Sequence, residues 1–287
     1  MKYAWIEEHR DRFHVTRMCR QLEVSRTGYC QWRTRAPSDR AIANAALDAQ
    51  VAALHAGSTR SYGRPRIVRG LREQGVQVGH ERVRNSLKRQ DLRSVYKRPY
   101  RVTTDSAHHK PVARNVLDRR VDGWRVNQAW VADITYVATN QGWLYLACVM
   151  DLASRRIVGW SMSERITADL VCRALRSAYW QRKPAAGLIM HSDRGSQYAS
   201  ASHRQMIKDY RMIQSMSRRA NCWDNSAMES FFKTLKVERT HLLRYDTRAL
   251  AKLDIVDWIE GFYNHGRMHS SIGYKTPVNA ESSLRAA

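Results

Sequence analysis

Trp130-Val131-Ala132-Asp133-Ile134-Thr135-Tyr136-Val137 is an apolar, β-branched and aromatic run interrupted by one carboxylate, that of Asp133. Its composition reads as a β-strand. Trp143 to Met150 and Arg156 to Met162 are runs of the same kind. The short Thr139-Asn140-Gln141-Gly142 and Ala153-Ser154-Arg155 connections make the three an antiparallel meander.

Downstream the period changes. Ala168 to Trp180 carries Leu170, Val171, Ala174, Leu175 and Ala178 at helical spacing. Leu188-Ile189-Met190 is a short buried strand, Ser202 to Tyr210 a helix, Met212 to Met216 a strand and Ser226 to Val237 a helix; Leu250 to Tyr263 forms a last helix. The order β-β-β-α-β-α-β-α is that of a ribonuclease-H-like mixed sheet, in which the first and fourth strands are neighbours.

Upstream the chain reads as helical. His14 to Tyr29 suggests two short helices about a tight turn, with Met18, Leu22 and Val24 inside and Ser25 as an N-cap. The second would present Arg26, Thr27, Gln31 and Arg33. After Ala36-Pro37-Ser38-Asp39 an Ala-rich helix runs from Ala41 to His55 with Ile42, Leu47, Val51 and Leu54 apolar. Beyond Tyr62-Gly63-Arg64-Pro65 come two more helices, one holding Ile67, Val68 and Leu71, the other Val83 and Leu87. The latter turns Arg82, Arg84, Lys88 and Arg89 outward, as a phosphate-contacting helix would. The fold class expected is α+β / α/β, with N-terminal helix-turn-helix-like modules followed by the ribonuclease-H-like core. Its parts are residues 1–36 (helix-turn-helix-like), 37–100 (second helical DNA-binding module), 101–126 (basic linker), 127–240 (core) and 241–287 (C-terminal helix and tail). The basic, aperiodic stretch from Leu92 to Asn115, with Lys97-Arg98-Pro99 and His108-His109-Lys110-Pro111, is read as a linker lying along DNA.

Charge names the partner. The 287 residues carry 49 Lys+Arg against 26 Asp+Glu, a formal charge of +23, and 43% are hydrophobic, enough for a packed core. Residues 1–130 hold 27 Lys+Arg and 12 Asp+Glu, so the excess is concentrated in the first half. Such an excess repels itself in the compact state unless a polyanion neutralises it, and nucleic acid is that polyanion. No apolar run reaches membrane-spanning length, and the first eight residues are too polar for a signal peptide. A cytoplasmic location with no membrane partner is expected. Cys19, Cys30, Cys148, Cys172 and Cys222 contain no CxxC pair, so neither a disulfide framework nor a zinc ribbon is expected.

Against this basic background three carboxylates need an explanation. Asp133 interrupts the first strand, where an unpaired charge is costly and a cation offsets it. Asp193 follows the fourth strand in His191-Ser192-Asp193-Arg194-Gly195-Ser196-Gln197-Tyr198. Glu229 lies on the helix whose buried stripe is Met228, Phe231, Phe232 and Leu235. With Lys233 and Lys236 it forms an adjoining stripe, since 4 and 7 residues are close to whole turns. Taken singly, Asp133 reads equally as a buried acid paired with an Arg, Asp193 as an Asx turn or N-cap, and Glu229 as part of a Ser226-Ala227-Met228-Glu229 capping box. Asp151 and Asp224 fit turn and cap roles, and His191 an ordered strand residue.

The combination is more specific. Fifty-nine residues separate Asp133 from Asp193 and 35 separate Asp193 from Glu229, with Lys236 seven positions on. That pattern resembles the DDE signature of retroviral-type integrases and related transposases. Tyr62-Gly63-Arg64-Pro65-Arg66, the Asp133 strand, Ser154-Arg155-Arg156-Ile157-Val158-Gly159-Trp160, the Asp193 segment and Tyr263-Asn264 with Arg267, His269-Ser270 and Pro277 are similar to the OrfB transposases of insertion sequence family three. The resemblance implies a DNA transposase with catalytic and metal-ligating Asp133, Asp193 and Glu229, using two Mg²⁺ or Mn²⁺ ions per site. It implies cleavage that frees a 3′-hydroxyl, strand transfer of that hydroxyl, and a branched product that resolves to a circle. It also implies double-stranded DNA as partner, a homo-oligomer on DNA and an OrfA partner or fusion. The DNA contacts expected are Lys233, Lys236, Arg194, Gln197, Tyr198, Arg26, Arg82, Arg84, Lys88, Arg89, Arg267 and His269. A non-catalytic DNA-binding regulator and a ribonuclease-H-like nuclease acting on RNA–DNA hybrids are the alternative readings.

Overall fold

The computed structural model describes residues 1–95, 111–118, 120–218 and 222–286. The Lys97-Arg98-Pro99 and His108-His109-Lys110 parts of the expected linker, and the Cys222 thiol, lie outside the described residues and side chains.

The meander forms as the sequence suggests: β1 (Ala129–Thr139), β2 (Gly142–Asp151) and β3 (Ile157–Ser163) pair antiparallel. Two parallel strands, β4 (Ile189–Ser192) and β5 (Ile213–Met216), complete a five-stranded sheet of order β3-β2-β1-β4-β5. β1 thus has β4 beside it, with Ala132 opposite Ser192. Alternation along β1 divides the core: Ala129, Val131 and Val137 pack on one face, Trp130 and Ala132 on the other.

On the second face lie α7 (Ala168–Arg182) and α8 (Ala201–Asp209). Gly159 on β3 allows α7 to approach, since a Cβ there would stand 2.6 Å from the Ala174 carbonyl oxygen. The first face is covered by α9 (Ser226–Leu235), through Met228, Phe231, Phe232 and Leu235, and by α10 (Arg248–Asp257) with Ile255, Trp258 and Tyr263. Each side chain of this kind contributes about 1.5–3 kcal/mol when fully buried. Both helices widen into π turns, over Lys236–Thr240 and Trp258–Tyr263.

At the N-terminus α1 (Lys2–His9), α2 (Val15–Gln21) and α3 (Arg26–Thr34) share a small core of Ile6, Met18, Cys19 and Tyr29. The Ser25 hydroxyl caps α3 by accepting from Gly28 N. A second core joins α4 (Asp39–Gly57), α5 (Arg64–Glu73) and α6 (His80–Arg89) around Leu47, Val51, Ile67, Leu71 and Val83. Ile42 is 58% exposed, because the apolar stripe of α4 begins only at Leu47.

The segment read as a linker behaves differently from residue 111 onward. Leu117 is fully buried in the sheet's first core, and the amides of Val116 and Leu117 both donate to Ser215 Oγ. Buried Leu117 and these two hydrogen bonds tie the segment to the core. A final helix, α11 (Pro277–Ala286), is pinned by Glu281, which meets Arg182 at 2.6 Å, Arg285 at 2.8 Å and Arg156 at 3.1 Å. Among the described residues no helix is long and apolar enough to cross a membrane.

Candidate active site

Asp133 sits on the α9-facing side of β1, in register with Cys148 of β2. The side chain is half-buried, and its Oδ1 accepts from Ile134 N. Burial raises its carboxyl well above the usual range, and the charges of Asp193 and Glu229 push it further the same way. Lys236 opposes them. Its ammonium lies 4.5 Å from the centre of the Tyr136 ring, and burial lowers its pKa.

Asp193 leaves the end of β4, adjacent to β1, and turns its Oδ1 onto Gly195 N at 2.9 Å. The Asx turn is therefore real, and it orients the carboxylate. A Cβ at Gly195 would lie 2.9 Å from Asp193 Oδ1 and 3.0 Å from Gln197 Oε1, so a larger residue there would displace the Asp193 carboxylate.

Glu229 stands exposed on the first turn of α9, and partial desolvation raises its carboxyl. The capping box does not form: α9 starts at Ser226, with Asn225 as N-cap and no side-chain capping bond. Asn225 is instead buried and donates its amide to Ala132 O at 3.2 Å, tying the start of α9 to the residue before Asp133. Sequence reading missed this tether. Its only signal is an Asn four positions before a candidate ligand.

The other candidate acids have partners of their own. Asp151 is fully buried in turn bonds, its Oδ2 accepting from Asn127 N at 2.7 Å and its Oδ1 from Ser154 N at 3.0 Å. Asp224 does not cap α9 but accepts from Arg218 Nη2 at 2.9 Å and Asn115 Nδ2 at 3.0 Å. His191 is fully buried, with Nδ1 2.8 Å from Ser215 Oγ and Nε2 3.1 Å from Ser217 Oγ, and burial lowers it to about 4. It lies inside the sheet between two serine hydroxyls. Among the described residues no three His, Cys, Asp or Glu side chains close round a common point.

The expected DNA contacts divide. Arg26, Arg82, Arg84, Lys88, Arg89 and Lys233 are exposed; Arg84 pairs with Glu81 at 3.3 Å and Arg89 with Asp48 at 2.6 Å. Arg194 and Gln197 are half-buried beside Asp193, with Arg194 Nε donating to Ser217 O. Tyr198 has to be withdrawn. The turn closed by Tyr198 N on Gly195 O folds its ring into the second core, 2% exposed, edge-on to His203 at 5.4 Å. Arg267 is withdrawn too, being 3% exposed and held bidentately by buried Glu238 at 2.7 and 2.8 Å. His269 is half-buried against Tyr263 and within 3.3 Å of Arg267 Nη1.

Comparison with known proteins adds the following. An integrase core domain family matches residues 124–222, an HTH-like domain family residues 41–100, and a second integrase core domain family residues 210–277. The transposase InsF for insertion sequence IS3A of Escherichia coli strain K12 is 41% identical over 285 residues, 98% of this chain and 99% of that protein. An uncharacterized 31 kDa protein of insertion element IS600 from Shigella sonnei is 42% identical over 261 residues, 91% of this chain and 96% of that one. Among solved structures, a simian T-cell lymphotropic virus intasome chain aligns at 16% identity and TM-score 0.46, covering 80% of this chain and 74% of that one. The HTLV-2 integrase catalytic core in complex with magnesium aligns at 16% identity and TM-score 0.43, covering 56% of this chain and 99% of that one.

Proposed function

The chain belongs to the transposases of insertion sequence family three and is a DDE-type DNA transposase with an integrase core, and we propose that Asp133, Asp193 and Glu229 carry its strand chemistry. The observation that supports this most is geometric: Asp133 and Asp193 directly follow the paired residues Ala132 and Ser192 of neighbouring strands, and Asn225 at the start of Glu229's helix bonds Ala132 O. Evolved cores place like charges together where a cation or a proton is to be held.

The donor set fits a divalent cation, because three carboxylates offer hard oxygen ligands and no thiolate or imidazole. Asp133, Asp193 and Glu229 would together hold two Mg²⁺ or Mn²⁺ ions. Such ions, when bound, supply Lewis acidity to the phosphodiester and favour deprotonation of the attacking hydroxyl. The exposed Glu229 is the ligand freest to rotate, and Asn225 holds its helix against β1. Lys236 and Lys233 lie on the same helix stripe and would meet the non-bridging phosphate oxygens.

Two displacements follow. In the first, water oxygen bonds to phosphorus and the bond to the 3′-oxygen breaks, freeing a 3′-hydroxyl. In the second, that hydroxyl attacks another phosphodiester, whose own 3′-oxygen leaves. The protein forms no covalent bond in either. Double-stranded DNA is the substrate, a homo-oligomer bridges the ends, and an OrfA partner or fusion supplies end recognition. The work is done in the cytoplasm, at the nucleoid.

Strand cleavage and transfer on a duplex carrying the element's end provide the test. Asp133→Asn, Asp193→Asn and Glu229→Gln are each expected to lower both steps at least about 1,000-fold while DNA affinity stays within about threefold. Full transfer by any one of them removes that residue from the set.

A further inference from the structure

Several motifs that carry the resemblance have no part in the acidic cluster, yet they converge. Arg66 of α5, Arg155 before β3, and Arg267 and His269 of the tail line one cleft of about 520 Å³ between the α4–α6 module and the core. Part of its wall is the face of α9 that bears Ser226, Ser230 and Thr234. Glu229 and Lys233 project from the adjoining stripe, so one helix separates cleft from acidic cluster.

Charge in the cleft is not balanced. Arg267 is matched by Glu238, and Arg155 reaches the exposed carboxylate of Asp122 at 3.2 Å. Among the described residues Arg66 meets no carboxylate within ion-pair distance; its guanidinium lies 5.6 Å from the centre of the Tyr62 ring. Arg155 is 9% exposed, and its Nε has no hydrogen-bond partner. A buried guanidinium N–H without an acceptor is costly, and an incoming anion supplies that acceptor. Burial, with the field of Arg267, Arg66 and Arg155 added to it, drives His269 down to about 2, so its ring stays neutral. Around these cations Ser226, Ser230, Ser270 and Ser271 line the cleft. The guanidinium donors of Arg66 and Arg155 beside these serines match the oxygens of a tetrahedral dianion or phosphodiester.

We propose that this cleft is a phosphate-binding site, built where the helical module, α9 and the tail meet. A phosphate held there touches all three, so occupancy would fix α9, and Glu229 on it, relative to the DNA-binding helices. The source of the phosphate is either a DNA backbone or free phosphate. The DNA source rests on the transposase reading; the free-phosphate source does not.

Two arms on the full chain separate them. In the first, the melting temperature is read in inorganic phosphate and in chloride at equal ionic strength. Phosphate is expected to raise it by several degrees, on the order of 3–5 °C. Arg66→Gln removes the rise. Ser230→Asp, at an exposed position, raises the melting temperature in chloride by placing a carboxylate among the cations, and also removes the phosphate response. In the second arm, the slope of log affinity for a DNA duplex against log salt is measured. Loss of one backbone phosphate contact lowers its magnitude by about 0.9, and Arg66→Gln and Ser230→Asp should each do so. Loss of the phosphate response alone identifies free phosphate as the occupant; loss of slope identifies DNA. Folded variants that keep both the parental phosphate response and the parental slope overturn the site, as does a parent chain that shows no phosphate response while its variants keep its slope. A chain that binds no duplex at low salt defeats the transposase reading instead, and the first arm still decides the cleft.

Discussion

Burial of its imidazoles makes this fold sensitive to acid. His203 is 1% exposed on α8, and burial lowers it from 6.5 to about 4, although Nδ1 bonds the Tyr198 carbonyl at 3.1 Å. The unfolded chain takes up a proton near pH 6.5 and the folded chain only near pH 4. The neutral ring's contribution is complete above about pH 6.5 and disappears as pH falls through that window, by up to roughly 3 kcal/mol. Urea midpoints between pH 7 and pH 4 should therefore fall steeply for the parent and less steeply for His203→Asn, whose amide can still donate to Tyr198 O. Parallel acid limbs would contradict the account. At this scale the sequence was partly readable. Asp133 stood out because a carboxylate in an apolar strand has few inexpensive explanations. Tyr198 and Arg267 misled because neither lies in a periodic element, and burial in a loop is set by distant partners. Glu238 is 29 residues from Arg267, a separation that no local pattern encodes.

Between elements, the critical joint is that of α9 with β1. The buried stripe of α9 fixes its rotation, and Asn225 fixes where its first turn meets the strand, through Ala132 O. Asn225→Ala removes that bond and leaves a buried carbonyl without its partner, which costs about 1–3 kcal/mol of stability. Cleavage should drop about 10- to 100-fold through mispositioning of Glu229, with duplex affinity unchanged. Unaltered cleavage at saturating Mg²⁺ would show that the joint is only structural. Elements with a clear period were legible: the three meander strands, and α7, α8, α9 and α10, were all visible as alternation or 3.6-residue stripes. Missed were α1 and α11, for a physical reason. α1 buries only Ile6, and α11 buries Pro277, Ala280 and Glu281, so neither displays an apolar stripe.

Across the whole molecule the tail acts as a clasp. Asn264 bonds both the amide and the carbonyl of Ile157, at 3.0 and 3.1 Å, completing the edge of β3 as a strand would. Tyr62 of the helical module donates to Gly266 O at 3.1 Å and accepts from Met268 N at 2.9 Å. Between these contacts the Glu238–Arg267 pair is almost wholly buried. Glu238→Gln leaves a guanidinium without its counter-charge and should cost about 3–5 kcal/mol in chemical denaturation, whereas the Glu238→Gln/Arg267→Met double variant should recover much of that loss. Additive losses would mean that the pair does not join tail to core. The resemblance named the residues of the clasp, but their convergence on one cleft required the fold.

Every scale depends on the carboxylates of β1, β4 and α9 acting on one divalent site. Anomalous diffraction from crystals of the end-DNA complex grown with Mn²⁺ tests this most directly. Manganese peaks are expected against the oxygens of Asp133, Asp193 and Glu229, lost in Asp133→Asn crystals. Manganese bound elsewhere in a complex competent for strand transfer would contradict the account.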